Sequence, residues 1–359
     1  MSSYDDAPPK KYLYIKVFGW LTTAAIIGGS LFLVLAPTPY LVEQPGPTYN
    51  LLSTIGAKPV IDIPDKETYP VSGDLSMLTV TLKGGPERGA SWLEVGLAKL
   101  DSSKSIVNIT DIYPEGWDRA RLDEQSDMMM LDSQANAKGA ALSLLNIPYT
   151  SEIKVTKVEK KGPAGNILKA ADTVLTVQGE KATGLEQVRR LVAATKGERT
   201  VDMEIIRDGK RLSVSVMPKM IDEQWRMGIF VQTVPTFPFE IDIQVGNVGG
   251  PSAGQMLALA IYDKLTPGEL TGGERVSGTG TISLDGKIGP IGGAKQKMYG
   301  ARRAGHEWFL VPSENCEQVL GNIPEGLNVV KVSNIQDSLN AVKAIATNTG
   351  TDRLLTCNK

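Results

Sequence analysis

The chain has 359 residues, with 38 lysines and arginines against 40 aspartates and glutamates, a length that supports two modest domains with packed cores. The near-neutral balance, with no basic stripe interleaved with aromatics, argues against nucleic-acid binding. Two cysteines, no Cys-x-x-Cys and a single histidine leave a structural zinc site without ligands, and no repeat or low-complexity tract is present.

Lys10, Lys11 and Lys16 precede an uncharged apolar run over residues 17–36. As a helix at about 1.5 Å per residue it spans a hydrocarbon core of about 30 Å. A cleaved signal peptide is the competing reading, but its apolar core is shorter, so the run is expected to be a retained transmembrane helix. The positive-inside rule makes residues 1–16 a cytoplasmic tail and places everything after Pro37 outside, as in a single-pass plasma-membrane protein. In that compartment a Cys316–Cys357 disulfide is permitted; two unpaired thiols are the alternative.

Pro45-Gly46-Pro47 marks residues 37–60 as a linker, and Leu75 to Leu82 has the β-branched content of a strand. A helix is predicted over 124–145, with Met128, Leu131, Ala135, Ala141, Leu142 and Leu145 as its apolar positions, Met128 to Met130 as core filling, and Pro148 closing it. From Glu152 to Val216 the pattern changes to short strands (153–158 and 173–177), a helix apolar at Leu185, Val188, Leu191 and Val192, and a hairpin turning at Asp208-Gly209. Gly162-Pro163-Ala164 followed by Lys169 to Gly179 resembles a bacterial PDZ domain, with Ala170-Ala171-Asp172 where that family usually has Pro-Gly-Asp. The resemblance implies a groove between a strand and the helix 185–194 that takes an extended peptide as an added strand; a small β domain that only braces its neighbour is the other reading.

Further on, an extended stretch, Phe239 to Val245, leads through Gly249-Gly250-Pro251-Ser252-Ala253-Gly254 into a helix-like stretch, Gln255 to Tyr262. Ser252 therefore stands where unpartnered N–H groups and the helix dipole favour an oxyanion, with Gly250, Pro251 and Ala253 forming the turn backbone around it. Gly250 to Gly254 also satisfies Gly-x-Ser-x-Gly, so an esterase elbow is an alternative. It requires His306 as base and Asp263 or Asp285 as acid, yet His306 sits at a Gly-bearing stop where a polar residue is usually solvent-exposed. Lysine is the better base. At about 100° per residue, Ala294, Lys297, Met298, Ala301 and Ala304 fall on one side of a helix and Lys295, Arg302 and Arg303 on the other. Burial of Lys297 lowers its pKa and frees a neutral amine to take the serine proton.

From Gly249 to Pro312 the ordered motifs Gly-Pro-Ser-Ala-Gly, Ser277-Gly278-Thr279-Gly280-Thr281-Ile282, Gly286 to Lys297 and Phe309-Leu310-Val311-Pro312 resemble the proteolytic domain of Lon-type proteases. The resemblance implies an α+β fold, Ser252 as nucleophile, Lys297 as general base and Thr279 as the hydroxyl orienting the lysine, with Thr281 where an acidic residue often stands. It implies that residues 61–130 supply the first part of the Lon-like domain, 131–220 a PDZ-like insertion, 221–346 the remainder, and 347–359 a tail. No Gly-x-x-x-x-Gly-Lys-Ser/Thr occurs, so no nucleotide and no other cofactor is expected. The expected activity is ATP-independent serine endopeptidase action on extended protein or peptide substrates outside the membrane, with residues 239–245 pairing with substrate as an edge strand. A non-catalytic PDZ scaffold is the alternative, and a homo-oligomer or a monomer is equally consistent with these residues.

Overall fold

A computed structural model describes residues 10–56, 58–182, 184–221 and 223–357; residues 1–9 of the expected cytoplasmic tail and 358–359 of the C-terminal tail lie outside the described residues. The α-helices are α1 (Lys10–Leu35), α2 (Trp92–Lys99), α3 (Ile109–Ile112), α4 (Arg119–Leu144), α5 (Leu185–Ala194), α6 (Gly254–Lys264), α7 (Ala294–Arg303), α8 (Cys316–Val319) and α9 (Ile335–Ala346). Within α1, Val17–Leu35 is long and apolar enough to cross a membrane, with a mean hydropathy of 1.9 and none of it buried.

A mixed sheet of six strands carries the first body. Its order is Asn328–Val332, Trp308–Pro312, Arg275–Gly278, Asp74–Lys83, Tyr40–Asn50 and Ser105–Asn108. The first four strands run parallel and the last two pairings are antiparallel. Residues 37–60, expected as a linker, thus supply a strand flanked on both sides, with Leu41 and Leu51 fully buried. Pro45-Gly46-Pro47 is a bulge in that strand: the register slips between Pro45 and Thr48, which tolerates prolines that lack an N–H. Glycine is required at 46 because a Cβ there would collide with Thr79.

Over this sheet lies α6, whose residues Met256 to Ile261 are all fully buried, as a helix apolar all round must be. Against α6 packs α4, begun by Asp118, which accepts a hydrogen bond from Arg121 N at 2.9 Å. The buried face of α4 is Met130, Ser133, Ala137, Gly139, Ala140, Ala141 and Leu142, so the expectation for its apolar positions holds toward the C-terminal end, at Ala141 and Leu142, and fails earlier, where Met128, Met129 and Leu131 are exposed. Small side chains let two helices approach closely, and a reading weighted toward large apolar residues picks the opposite face.

The second sheet has the order Lys210–Val216, Val201–Arg207, Thr173–Val177, Thr150–Val158 and Ile229–Thr236, with α5 beside it and Glu180–Lys181 paired to Thr173–Val177. Two boundaries shift from the expected 131–220. The helix α4 belongs to the first body by its packing, and strand Ile229–Thr236 pairs antiparallel with Thr150–Val158 along its length. The hairpin turns at Asp208 and Gly209, both at positive φ, as Asp-Gly requires.

In this second body Asp172 is held by a two-point bond from Arg207 (Nε to Oδ1 and Nη2 to Oδ2, each 2.7 Å) and by Lys169 N at 2.8 Å. Burial alone raises its pKa, but the Arg207 bonds and the backbone N–H outweigh burial and hold it below the usual carboxylate range. The neighbouring Ala171 adopts φ 71°, a region that strains any residue with a Cβ. Ala171→Gly is therefore expected to stabilise this body by about 0.5 to 1 kcal/mol, the relief of strain exceeding the added freedom of the unfolded chain. A urea midpoint that stays put or falls contradicts the expectation.

At the far edge of the first sheet the C-terminal residues dock on the chain. Lys331 N donates to Leu355 O at 2.7 Å, and Cys316 is joined to Cys357 by a disulfide with the Cα atoms 5.1 Å apart. Residues 347–357 of the expected tail thus cover an otherwise open strand edge.

Candidate active site

Ser252 stands in the turn just before α6, but the approach differs from the expected free edge. Asp242–Ile243 pairs with Ile61–Asp62, Gln244 N donates to Val60 O at 2.8 Å, and Ile241, Ile243 and Val245 are buried. The stretch 239–245 is committed to the core on alternate residues and is not a free docking edge. The chain then passes Gly250 at φ 85°, a left-handed conformation suited to glycine, and enters α6.

Two bonds from α4 hold this turn. Gly250 N donates to Ser126 O at 2.8 Å, and Ser133 Oγ donates to Pro251 O at 2.9 Å. Of the turn backbone expected to face an oxyanion, Gly250 has its N–H occupied and Pro251 has none. Gln255 N donates to Gly280 O at 3.2 Å. Among the described residues, the N–H groups of Ser252 and Ala253 donate to no backbone carbonyl. Nothing in the residue types of α4 pointed to Ser126 and Ser133 as braces; their seven-residue spacing on the small-residue face was the available signal.

The helix α7 starts at Gly293, φ 68°, and presents Ala294, Lys297, Met298 and Ala301 inward, with Arg302 and Arg303 exposed. Lys297 is 3% exposed. Its Nζ lies 2.7 Å from Ser252 Oγ and 3.0 Å from Thr279 Oγ1. Thr279 Oγ1 donates its proton to Ser252 O at 3.1 Å, so toward Lys297 it acts as an acceptor. A neutral amine that donates to Thr279 keeps its lone pair for Ser252. Burial lowers the Lys297 pKa to about 7, and among the described residues no acid pairs with it within ion-pair distance. Lys295, on the outer side, donates from Nζ to Lys104 O at 3.0 Å. Thr281 pairs with Gly289 across a short hairpin.

The residues of the esterase alternative are dispersed. His306 is 1% exposed rather than solvated, with Nδ1 unpartnered among the described residues and its pKa lowered by burial. It sits by Arg275, at the start of strand Arg275–Gly278, whereas Ser252 meets Thr279 and Gly280 just past its end. Four residues of strand separate the two by about 13 Å. Asp263, fully buried near the C-terminal end of α6, accepts from Leu270 N at 2.9 Å, and burial raises its pKa to about 6. Asp285 accepts from Ser283 in a surface turn. Among the described residues, no serine–histidine pair is assembled around Ser252.

A cavity of about 510 Å³ opens at the dyad, lined by Thr79, Leu82, Leu122, Asp123, Val248 and Gly249 among others. Strand Asp74–Lys83 pairs with Arg275–Gly278 only as far as Met77. Beyond it, Leu78 to Leu82 line the cavity on the edge not used by Tyr40–Asn50. In the second body a separate groove of about 780 Å³ lies between α5 and Ile229–Thr236, lined by Val188, Val192, Trp225 and Phe230. That strand stands last in its sheet.

Comparison with known proteins finds two families, with a boundary that differs from the structural one: the PDZ match takes in most of α4, and the Lon match takes in strand Ile229–Thr236. Residues 219–345 match the Lon protease (S16) C-terminal proteolytic domain, and residues 127–217 match the PDZ domain. The Lon protease of Buchnera aphidicola subsp. Acyrthosiphon pisum is 33% identical over 141 residues, 38% of this chain and 18% of the relative. That of Clostridioides difficile is 32% identical over 126 residues, 34% of this chain and 15% of the relative. The chain thus spans less than a fifth of the length of either relative. Among solved structures, the PDZ domain of the SdrC-like protein from Listeria innocua is 22% identical, covering 23% of this chain and 93% of its own, with a TM-score of 0.22. Strands Tyr40–Asn50 and Asp74–Lys83 fall outside both matched segments yet build the sheet beneath the dyad. The chain carries a Lon-type (S16) proteolytic domain together with a PDZ domain.

Proposed function

We propose that this chain is an ATP-independent serine endopeptidase, tethered to the membrane by residues 17–35 and acting outside the cytoplasm. The observation that carries the reading is the buried amine of Lys297, 2.7 Å from Ser252 Oγ. Lys297 takes the hydroxyl proton as Ser252 attacks a peptide carbonyl. The N–H groups of Ser252 and Ala253 receive the oxyanion. Collapse returns the proton from Lys297 to the departing amine and leaves an acyl-serine. A water, deprotonated by the same lysine, then releases the acid and restores Ser252. Thr279 keeps the lysine lone pair aimed at the serine.

Leu78 to Leu82 provide the free edge along which an extended substrate lies, replacing residues 239–245 in that role. The PDZ groove takes a second extended segment on strand Ile229–Thr236. Lys10, Lys11 and Lys16, ahead of the apolar run 17–35, support a cytoplasmic N-terminus, and the Cys316–Cys357 disulfide fits an oxidising compartment. The absence of a Walker sequence supports turnover without nucleotide; hydrolysis of an unfolded protein that collapses on adding apyrase overturns that part.

The pH profile tests the dyad. The base works only when neutral, so kcat/KM should rise tenfold per pH unit below about 7 and level off above it, following the Lys297 ionisation. The stability sign agrees: the folded-state pKa of Lys297 is depressed, the unfolded chain binds the extra proton between about 7 and the ordinary lysine value, and stability rises with pH across that window. A rate limb near pH 10 instead means the amine is not dry, and this assignment of the base is wrong.

A further inference from the structure

The helix α2 is apolar on two faces. Inward, Val95 and Ala98 pack with Val42 and Ala90. Outward, Trp92, Leu93, Leu97 and Leu100 are 46%, 42%, 53% and 85% exposed. Their spacing, with Gly96 between, places them along one stripe. Scattered surface leucines need no explanation, but three large apolar side chains on one short helix and a fourth at its C-cap do.

Their position in the fold says what covers them. The chain leaves α1 and at once pairs with the start of α2: Pro37 bridges Ser91, Thr38 N donates to Ala90 O at 2.9 Å, and Arg88 Nη2 donates to Leu35 O at 2.7 Å. Ser91 is the N-cap of α2, closed by a capping box with Glu94. A strand-like bridge sets two backbones about 5 Å apart, so α2 begins at the depth where α1 ends. Around the stripe stand both signs of charge: Lys83, Arg88 and Lys99, with Glu87, Glu94 and Asp101, the last paired with Lys104. That mixture neither requires nor forbids anionic lipid, leaving apolar area and the tryptophan as the driving features.

We infer that α2 lies in the membrane interface, with Trp92, Leu93, Leu97 and Leu100 seated at the boundary between headgroups and acyl chains. A tryptophan-bearing apolar face beside a span is the composition of an interfacial helix. Sinking α2 fixes the first body against the bilayer, because the strand Tyr40–Asn50 beneath α2 is continuous with the sheet that carries the dyad. The inference rests on α1 being a retained span.

The test uses the full chain in phosphatidylcholine nanodiscs, with one added cysteine labelled by the NBD fluorophore at Leu97→Cys, Phe32→Cys or Met220→Cys. The two native cysteines are joined and do not compete for label. With a nitroxide at carbon 5 of the lipid chains, the labels at 97 and 32 should each lose about half of their emission or more, and the label at 220, exposed on a surface hairpin away from α1 and α2 in sequence, should lose almost none. Quenching at 32 but not at 97, with the latter open to aqueous iodide, overturns the inference and leaves the span intact. Failure at both positions removes the span itself and the inference with it. Blue-shifted emission at 97 without lipid quenching shows that another protein surface, such as a second copy, covers the stripe, and also overturns it.

Discussion

Lys297→Ala and Ser252→Ala should each lower kcat/KM on an unstructured protein substrate by about 10,000-fold, and the double variant should lose hardly more than either alone. The non-additivity follows from the geometry. A serine hydroxyl without a base is a poor nucleophile, and a dry amine without the hydroxyl has nothing to deprotonate. Lys297→Met is the sharper probe. It preserves side-chain length and removes a desolvated amine that pairs with no acid among the described residues, so inactivity should accompany unchanged or higher thermal stability. Lys295→Ala, two residues before Lys297 and on the opposite face of α7, should stay within a few-fold of the parent. Residual turnover above a hundredth of the parent in Lys297→Met removes the lysine from the mechanism.

Opening the Cys316–Cys357 bridge should be the largest single loss of stability. The bridge closes a loop of 41 residues in sequence separation, and chain-entropy arguments assign such a closure about 4 kcal/mol. Besides restraining the unfolded chain, it pins the segment that shields strand Asn328–Val332, so its loss also uncovers a sheet edge. Cys316→Ser with Cys357→Ser, or reduction of the parent, should lower the urea-extrapolated stability by a similar amount. A difference under about 1 kcal/mol would mean that the tail holds on without the covalent link.

The pairing of Ser252 with Lys297 was legible from a glycine turn before an apolar helix and from an amphipathic helix with a lysine on its inner side, whereas Thr279 entered only through the resemblance to Lon-type proteases. What was not legible depends on which distant segment each piece meets. Pro45-Gly46-Pro47 looks like a break until its partner Thr79 shows it to be a bulge. The alternation of residues 239–245 is that of a half-buried strand in any setting, and only the pairing with Ile61–Asp62 removes it from substrate contact. His306 stands at a turn that the fold buries beneath Arg275, and α4 turns its small residues inward, which hydrophobic weighting cannot anticipate.

That helix has a mechanical consequence. Midway along α4, Asp132 accepts a hydrogen bond from Gln232 on the PDZ edge strand, while Ser126 and Ser133 grip the collar of the nucleophile. Three fastenings within two turns of a stiff rod span only about 10 Å. On the proposed function, a peptide added to that strand would pull, through the Gln232–Asp132 hydrogen bond, on the same rod that holds the turn of Ser252.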